Sequence, residues 1–175
     1  MNVIITGENR GLGKNIKNYL NSNDYNIISI GSLDSYSHHL PTILDTADVF
    51  INNEYRDKLQ TDLFELVYDT WKYEKKTIIN ILTSALVFGG PNKKYMDDKK
   101  DLENKTFEVR TDDKEVRIIN VYPNTLESSV TVPNQKLKFE QVSNIIKYLI
   151  ELPHDIEIFQ IGISKTKLKI ETQIL

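Results

Sequence analysis

The sequence has no cysteine, which excludes disulfides and thiolate metal sites. No apolar run approaches the roughly 20 residues of a membrane span. Neither sign of charge dominates: 22 Lys and Arg face 25 Asp and Glu, for a net charge of -3. The basic stripe of a nucleic-acid binder is therefore missing. The opening MNVIITG has no basic head, long apolar run or small-residue cleavage site. We expect no signal peptide and a cytoplasmic location. No internal repeat, low-complexity tract or linker divides the chain, so a single domain over 1–175 is expected.

What is present is a series of short, β-rich apolar runs: NVIIT (2–6), NIISI (26–30), DVFIN (48–52), TIINIL (77–82), VRIINVY (116–122) and EIFQIGIS (157–164). Several are near-continuous Val/Ile, the pattern of strands buried on both faces of a parallel sheet. Helical patterns lie between them. Leu12, Ile16 and Leu20 recur at four-residue spacing. Leu63, Leu66, Val67 and Trp71 form a stripe within 56–75, as do Phe139, Val142, Ile145, Ile146 and Leu149 within 138–152. Alternating strand and helix predicts βαβ units. The final KTKLKIETQIL alternates apolar and polar and reads as an added edge strand.

VIITGENRGLGKNI, residues 3–16, is the most specific stretch. A buried-strand pattern runs into Gly7, Gly11 and Gly13, and an amphipathic helix follows. Glycine permits a tight turn and close backbone approach, and the helix N-terminus adds partial positive charge. That combination suits the pyrophosphate of a dinucleotide. Strand-to-helix corners also use glycine for purely steric reasons.

TGENRGLG resembles the cofactor loop of the short-chain dehydrogenase/reductase family, in its main branch. Three further stretches match in order. DVFINNE resembles the strand ending Asn-Asn-Ala-Gly. INILTSALVFGGPNKKYMDDKKDLE resembles the strand with the catalytic serine, followed by Tyr-x-x-x-Lys. VRIINVYPNTLES resembles the next strand and its Pro-Gly loop. The resemblance implies a three-layer αβα, Rossmann-like doubly wound sheet of about six mostly parallel strands. It implies Ser84, Tyr95 and Lys99 as catalytic residues. It also implies cofactor contacts from Thr6, Gly7, Asn9, Arg10, Gly11, Leu12, Gly13, Asn52, Asn53, Pro123 and Ser128. Tyr95 and Lys99, four apart on a helix, share a face. A nearby ammonium stabilises a phenolate and lowers its pKa, which would let Tyr95 exchange a proton with an alcohol or carbonyl oxygen. Ser84 would hold that oxygen.

Cofactor choice is a question of charge. The second strand ends ISIGSLD, with Ser32 rather than an acid at the expected place, and Arg10 would pair with a 2′-phosphate. NADP is favoured over NAD, while Asp34 keeps NAD open. Several departures bear on activity. About sixteen residues separate NIISI from DVFIN, so the usual third strand is expected to be absent. Glu54 and Tyr55 replace Ala-Gly, no relay asparagine lies in 56–75, and the serine-to-tyrosine spacing is contracted. The stretch SVTVPNQK is too brief for a substrate lid. The helix bearing Tyr95 is strongly charged, which leaves a homodimer through it doubtful. His38 and His39 have no carboxylate at helical spacing to complete a metal site. Two readings remain: an oxidoreductase acting on a small alcohol or carbonyl compound, or a protein of the same fold serving as a nucleotide-binding or interaction module. A sugar-modifying epimerase is a third, against which the glycine spacing speaks.

Overall fold

The computed structural model describes residues 1–30, 40–90, 92–127 and 136–164. Strand β1 (Asn2–Ile5) pairs in parallel with β2 (Asn26–Ser29) on one side and β3 (Val49–Asn52) on the other. Next come β4 (Thr77–Ile81), β5 (Arg117–Pro123) and β6 (Gln160–Ile163), again all parallel. The order is thus β2-β1-β3-β4-β5-β6. The chain adds β2 on one side of β1 and β3 to β6 on the other, so the strand order reverses between β1 and β3, the switch point where open α/β sheets seat ligands. Between β2 and β3 the described residues contain no strand; residues 40–44 are helical. The alternating segment at the C-terminus lies outside the described residues.

The helices are α1 (Gly11–Asn21), α2 (Leu59–Trp71), the short α3 (Ala85–Phe88), α4 (Lys93–Glu108) and α5 (Phe139–Glu151), with a 3-10 turn at Val109–Thr111. α1 and α5 cover one face of the sheet. There Leu12, Ile16, Leu20, Val142, Ile146 and Leu149 pack on Val3, Ile5, Val49, Ile51, Ile79 and Ile119. α2 and α4 cover the other, where Leu63, Phe64, Val67, Trp71 and Leu102 pack on Ile4, Phe50, Ile78 and Ile118. Trp71 is fully buried and its indole N–H donates to the Leu44 carbonyl at 3.2 Å. One stripe residue departs from expectation. Leu66 is 38% exposed, and Phe64 takes its place in the core. At about 100° per residue, Leu66 falls outside the arc shared by residues 60, 64, 67 and 71.

Among the described residues, no helix is long and apolar enough to cross a membrane.

Candidate active site

β1 leaves the sheet through Thr6, which is fully buried. The Thr6 amide donates to the Ile51 carbonyl at 3.1 Å. Its hydroxyl oxygen accepts from the Asn53 and Glu54 amides at 2.8 and 2.9 Å. The Asn53 side-chain amide returns a bond to the Thr6 carbonyl at 3.0 Å. Thr6 therefore fastens the first turn to the end of β3. A Cβ on Gly13 would stand 2.2 Å from the Gly7 carbonyl oxygen, so only glycine lets α1 lie this close to the turn. Gly11 differs: its φ of +54 is left-handed, and a Cβ there would meet nothing within 4 Å. One glycine serves packing, the other leaves open space at the helix entrance. Gly7 (φ +68) makes the first bend.

No side chain caps the N-terminus of α1, and no acid lies in its first turn. Asn9, Arg10 and Gly11 are exposed there. The first-turn amides of a helix need partners, and an anion supplies them.

A cleft of about 500 Å³ runs from this corner, at Leu12 and Asn53, past the end of β4 and the Pro123–Leu126 turn to α4. Ser84, Tyr95 and Lys99 all line it. The Asn92 side chain caps α4 by accepting from the Tyr95 amide at 3.0 Å, which sets Tyr95 in the first turn of the helix. The Tyr95 ring is half-buried and meets the Tyr55 ring edge to face, with centroids 4.6 Å apart. The Tyr55 hydroxyl donates to Asp98 at 3.1 Å.

Lys99 lies beneath both rings, its Nζ 5.6 Å from the Tyr95 centroid and 5.9 Å from that of Tyr55. It is buried and donates to Gln60 Oε1 and to the Ile81 carbonyl, both at 2.5 Å. Burial pulls its pKa down to about 7. The Tyr95 phenol does not follow the expected downward shift. Burial raises its pKa, and the interaction that opposes this comes from Thr83. Burial disfavours the charged form of both groups, so Lys99 does not offset the desolvation of the Tyr95 phenol.

Thr83 is a residue the sequence reading passed over. Ser84 turns to the opposite wall, where its hydroxyl donates to Asn124 Oδ1 at 3.2 Å and its amide to the Pro123 carbonyl at 3.1 Å. The contracted serine-to-tyrosine spacing was the signal: one residue earlier the turn after β4 offers a hydroxyl beside Tyr95. Gln60 was missed too, and neither spacing nor pattern marked it.

Asn52, expected near the cofactor, is fully buried away from the cleft. It follows Phe50 on the α2 side of β3, and its amide donates to the Gln60 carbonyl at 2.8 Å and Asn80 Oδ1 at 3.1 Å. Pro123 and Asn53 do line the cleft. Ser32, Asp34, His38, His39 and Ser128 lie outside the described residues. Beyond Ser84 and Asn124 a second cavity of about 320 Å³ opens over Tyr122, Glu103 and Gly162, edged by the exposed Val87 and Phe88. Among the described residues no three metal-ligating side chains cluster.

No family model matches the chain, and no curated protein matches it. Solved structures do. An alcohol dehydrogenase from the archaeon Thermococcus sibiricus, complexed with 5-hydroxy-NADP, superposes with a TM-score of 0.74 at 15% identity, over 93% of this chain and 95% of that one. Serine dehydrogenase from Escherichia coli gives 0.70 at 14% identity, over 94% and 98%. A short chain dehydrogenase from Burkholderia cenocepacia in complex with NADP gives 0.72 at 15%, over 92% and 86%. At such identities the likeness concerns architecture, and the parallel six-stranded sheet with its glycine corner has the Rossmann-like fold of the short-chain dehydrogenases/reductases.

Proposed function

We propose that this protein is an oxidoreductase of the short-chain dehydrogenase/reductase type, moving a hydride between NAD(P) and a small alcohol or carbonyl compound. The observation that carries this reading is convergence. Tyr95 and Lys99 on α4 and a hydroxyl pair at the end of β4 share one cleft with the glycine corner, though they come from distant parts of the chain. Solved structures of this fold hold NADP or NADH, which supports the same cofactor class here.

The residues fit such a cofactor. The uncapped first turn of α1 and the open space at Gly11 would receive its diphosphate, and Asn53 and Leu12 line the path toward Lys99. The exposed Arg10 favours NADP through a charge-assisted contact with the extra phosphate. When bound, the nicotinamide supplies or takes the hydride. In the reductive direction Tyr95 would give its proton to the carbonyl oxygen as the carbonyl carbon takes up the hydride that a bound cofactor would supply. Tyr95 is reprotonated from solvent or through neighbouring groups. A raised phenol pKa keeps that proton in place until negative charge develops on the oxygen. Thr83 holds the oxygen beside Tyr95, while Ser84, bonded to Asn124, stands between the cleft and the second cavity, where the apolar part of a substrate has room.

One observation favours the alternative, a nucleotide-binding module without chemistry: the Tyr55 ring occupies part of the cleft against Tyr95. Titration with NADPH and NADH, followed by nicotinamide fluorescence, separates the readings at the first step. Silence toward both at millimolar concentration removes the enzyme reading. If one binds, a carbonyl panel is run with the wild type, Tyr95→Phe, Thr83→Val and Ser84→Ala. Tyr95→Phe is expected to lose roughly 100-fold or more in turnover. Thr83→Val should lose more than Ser84→Ala; the reverse order returns the oxygen-holding role to Ser84.

A further inference from the structure

Lys99 is a buried amine with no carboxylate partner among the described residues. The groups that face it can be named. Gln60 comes from α2, the Ile81 carbonyl from β4 and the Tyr55 ring from the loop after β3. On its own helix, Tyr95 lies one turn before and Glu103 one turn after. Glu103 is engaged elsewhere, by the Tyr122 hydroxyl at 2.7 Å and by Lys100. Asp98 accepts from Tyr55. The side-chain acceptor bonded to Lys99 is thus a neutral amide.

That amide is held at both ends. Gln60 Nε2 donates to the Asn52 carbonyl at 2.7 Å and lies 3.4 Å from that of Ile81. The Asn52 side chain returns a bond to the Gln60 carbonyl. With its NH2 committed to carbonyl oxygens, the amide must present Oε1 to the amine; the flipped form would set donor against donor and acceptor against acceptor. An ammonium has three N–H donors. Gln60 and Ile81 take two and leave one for the cleft.

We propose that Gln60 is the positioning residue of the site: clamped by Asn52, it fixes the direction of the Lys99 amine and favours its charged form through a hydrogen bond, without the permanent charge of a carboxylate. The proposal rests on the oxidoreductase reading only for its catalytic consequence. The effect on the Lys99 amine stands apart from it.

The test uses the full chain with isotopically labelled lysine, titrating the Lys99 side chain by NMR in the wild type, Gln60→Glu and Gln60→Met. Gln60→Glu is nearly isosteric; it sets a carboxylate oxygen where Nε2 donated to the Asn52 carbonyl, a loss that falls on stability and is read separately by urea unfolding. It should raise the Lys99 midpoint by at least one pH unit. Gln60→Met removes the acceptor and should lower it. Opposite shifts are the signature of direct contact, since a merely structural residue would change stability and leave the midpoint in place. If Gln60→Met unfolds, Gln60→Asn, which keeps the amide but falls short by one methylene, must lower the midpoint instead. The descending limb of the kcat pH profile for carbonyl reduction should move with the midpoint in each variant, with KM for the carbonyl compound little changed. Midpoints that stay fixed, or move in the same direction in both variants, overturn the proposal. A wild type that binds neither NADPH nor NADH defeats the oxidoreductase reading, while the NMR shifts still decide the role of Gln60.

Discussion

On the α1/α5 face, the inward side chains of the central strands are aliphatic from Val3 and Ile5 through Ile79 and Val121, and the helices answer with Leu and Ile. On the α2/α4 face the same strands begin with Ile4, Phe50, Ile78 and Ile118, then turn polar one inward position later. Asn52, Asn80 and Asn120 stand in register across β3, β4 and β5 and pass hydrogen bonds of 3.1 Å from each amide to the next oxygen. α4 meets this row with Lys99, Glu103 and Thr106. Thr106 accepts from Asn120 at 2.7 Å, and Glu103 from Tyr122. The dry face contributes burial, which is non-directional and tolerates sliding. The polar face contributes directional bonds, and these constrain where α4, and with it Tyr95 and Lys99, stands over the sheet. Arg117 is the charged exception on the dry face, and it lies at the far ends of the strands, bonded to the Leu149, Leu152 and Pro153 carbonyls at the end of α5.

If that division is right, Ile146→Ala is the costlier change. Ile146 is fully buried, and truncation should remove about 2–5 kcal/mol in urea unfolding. The Lys99 midpoint should not move. Asn80→Leu keeps volume but strips the row of its middle member. Asn52 loses one acceptor and Asn120 a donor, for a cost of about 1–3 kcal/mol. Here the Lys99 midpoint should shift, because Asn52 grips Gln60. An Asn80→Leu protein with unchanged stability and unchanged Lys99 would break the comparison. A more stable protein with a displaced Lys99 would sharpen it, showing a row kept for position at the expense of stability.

The dry face was legible in the sequence; the polar one was not. Val/Ile runs and the Leu12, Ile16, Leu20 stripe announce burial directly, because periodicity reports which side of an element avoids water. The short interval before β3 limits what that connection can hold, and its described residues contain no strand. Asn52 closes one apolar run and Asn80 and Asn120 sit inside two others; only the register of three strands shows them as a row. Gln60 is likewise an ordinary polar residue of an amphipathic helix until α2 and α4 are packed side by side. Thr83 and Ser84 are adjacent, so a motif places both at the site, but the chain is already turning into α3 at Ser84, and the two hydroxyls take different partners.

The smallest expected effect separates the faces by their response to pH. Lys99 has its pKa lowered from 10.5 to about 7 by burial, so between those values the unfolded chain binds the proton more tightly than the native one. Native stability therefore rises with pH across that window, by at most about 1.4 kcal/mol per unit. Below pH 7 both states are protonated and this contribution is flat, with the burial penalty fully present. Lys99→Met abolishes the proton site. It also leaves Gln60 Oε1 and the Ile81 carbonyl without the lysine, but that loss is the same at every pH and cancels when slopes are compared. Urea unfolding of both proteins between about pH 7.5 and 9 should show the wild type gaining on the variant as pH rises, and parallel behaviour below about pH 6.5. The same comparison with Ile146→Ala should give parallel lines throughout, since no proton moves on the dry face. A wild type that gains nothing on Lys99→Met would mean that its amine is charged and hydrated, and that the polar face is wetter than its hydrogen bonds describe.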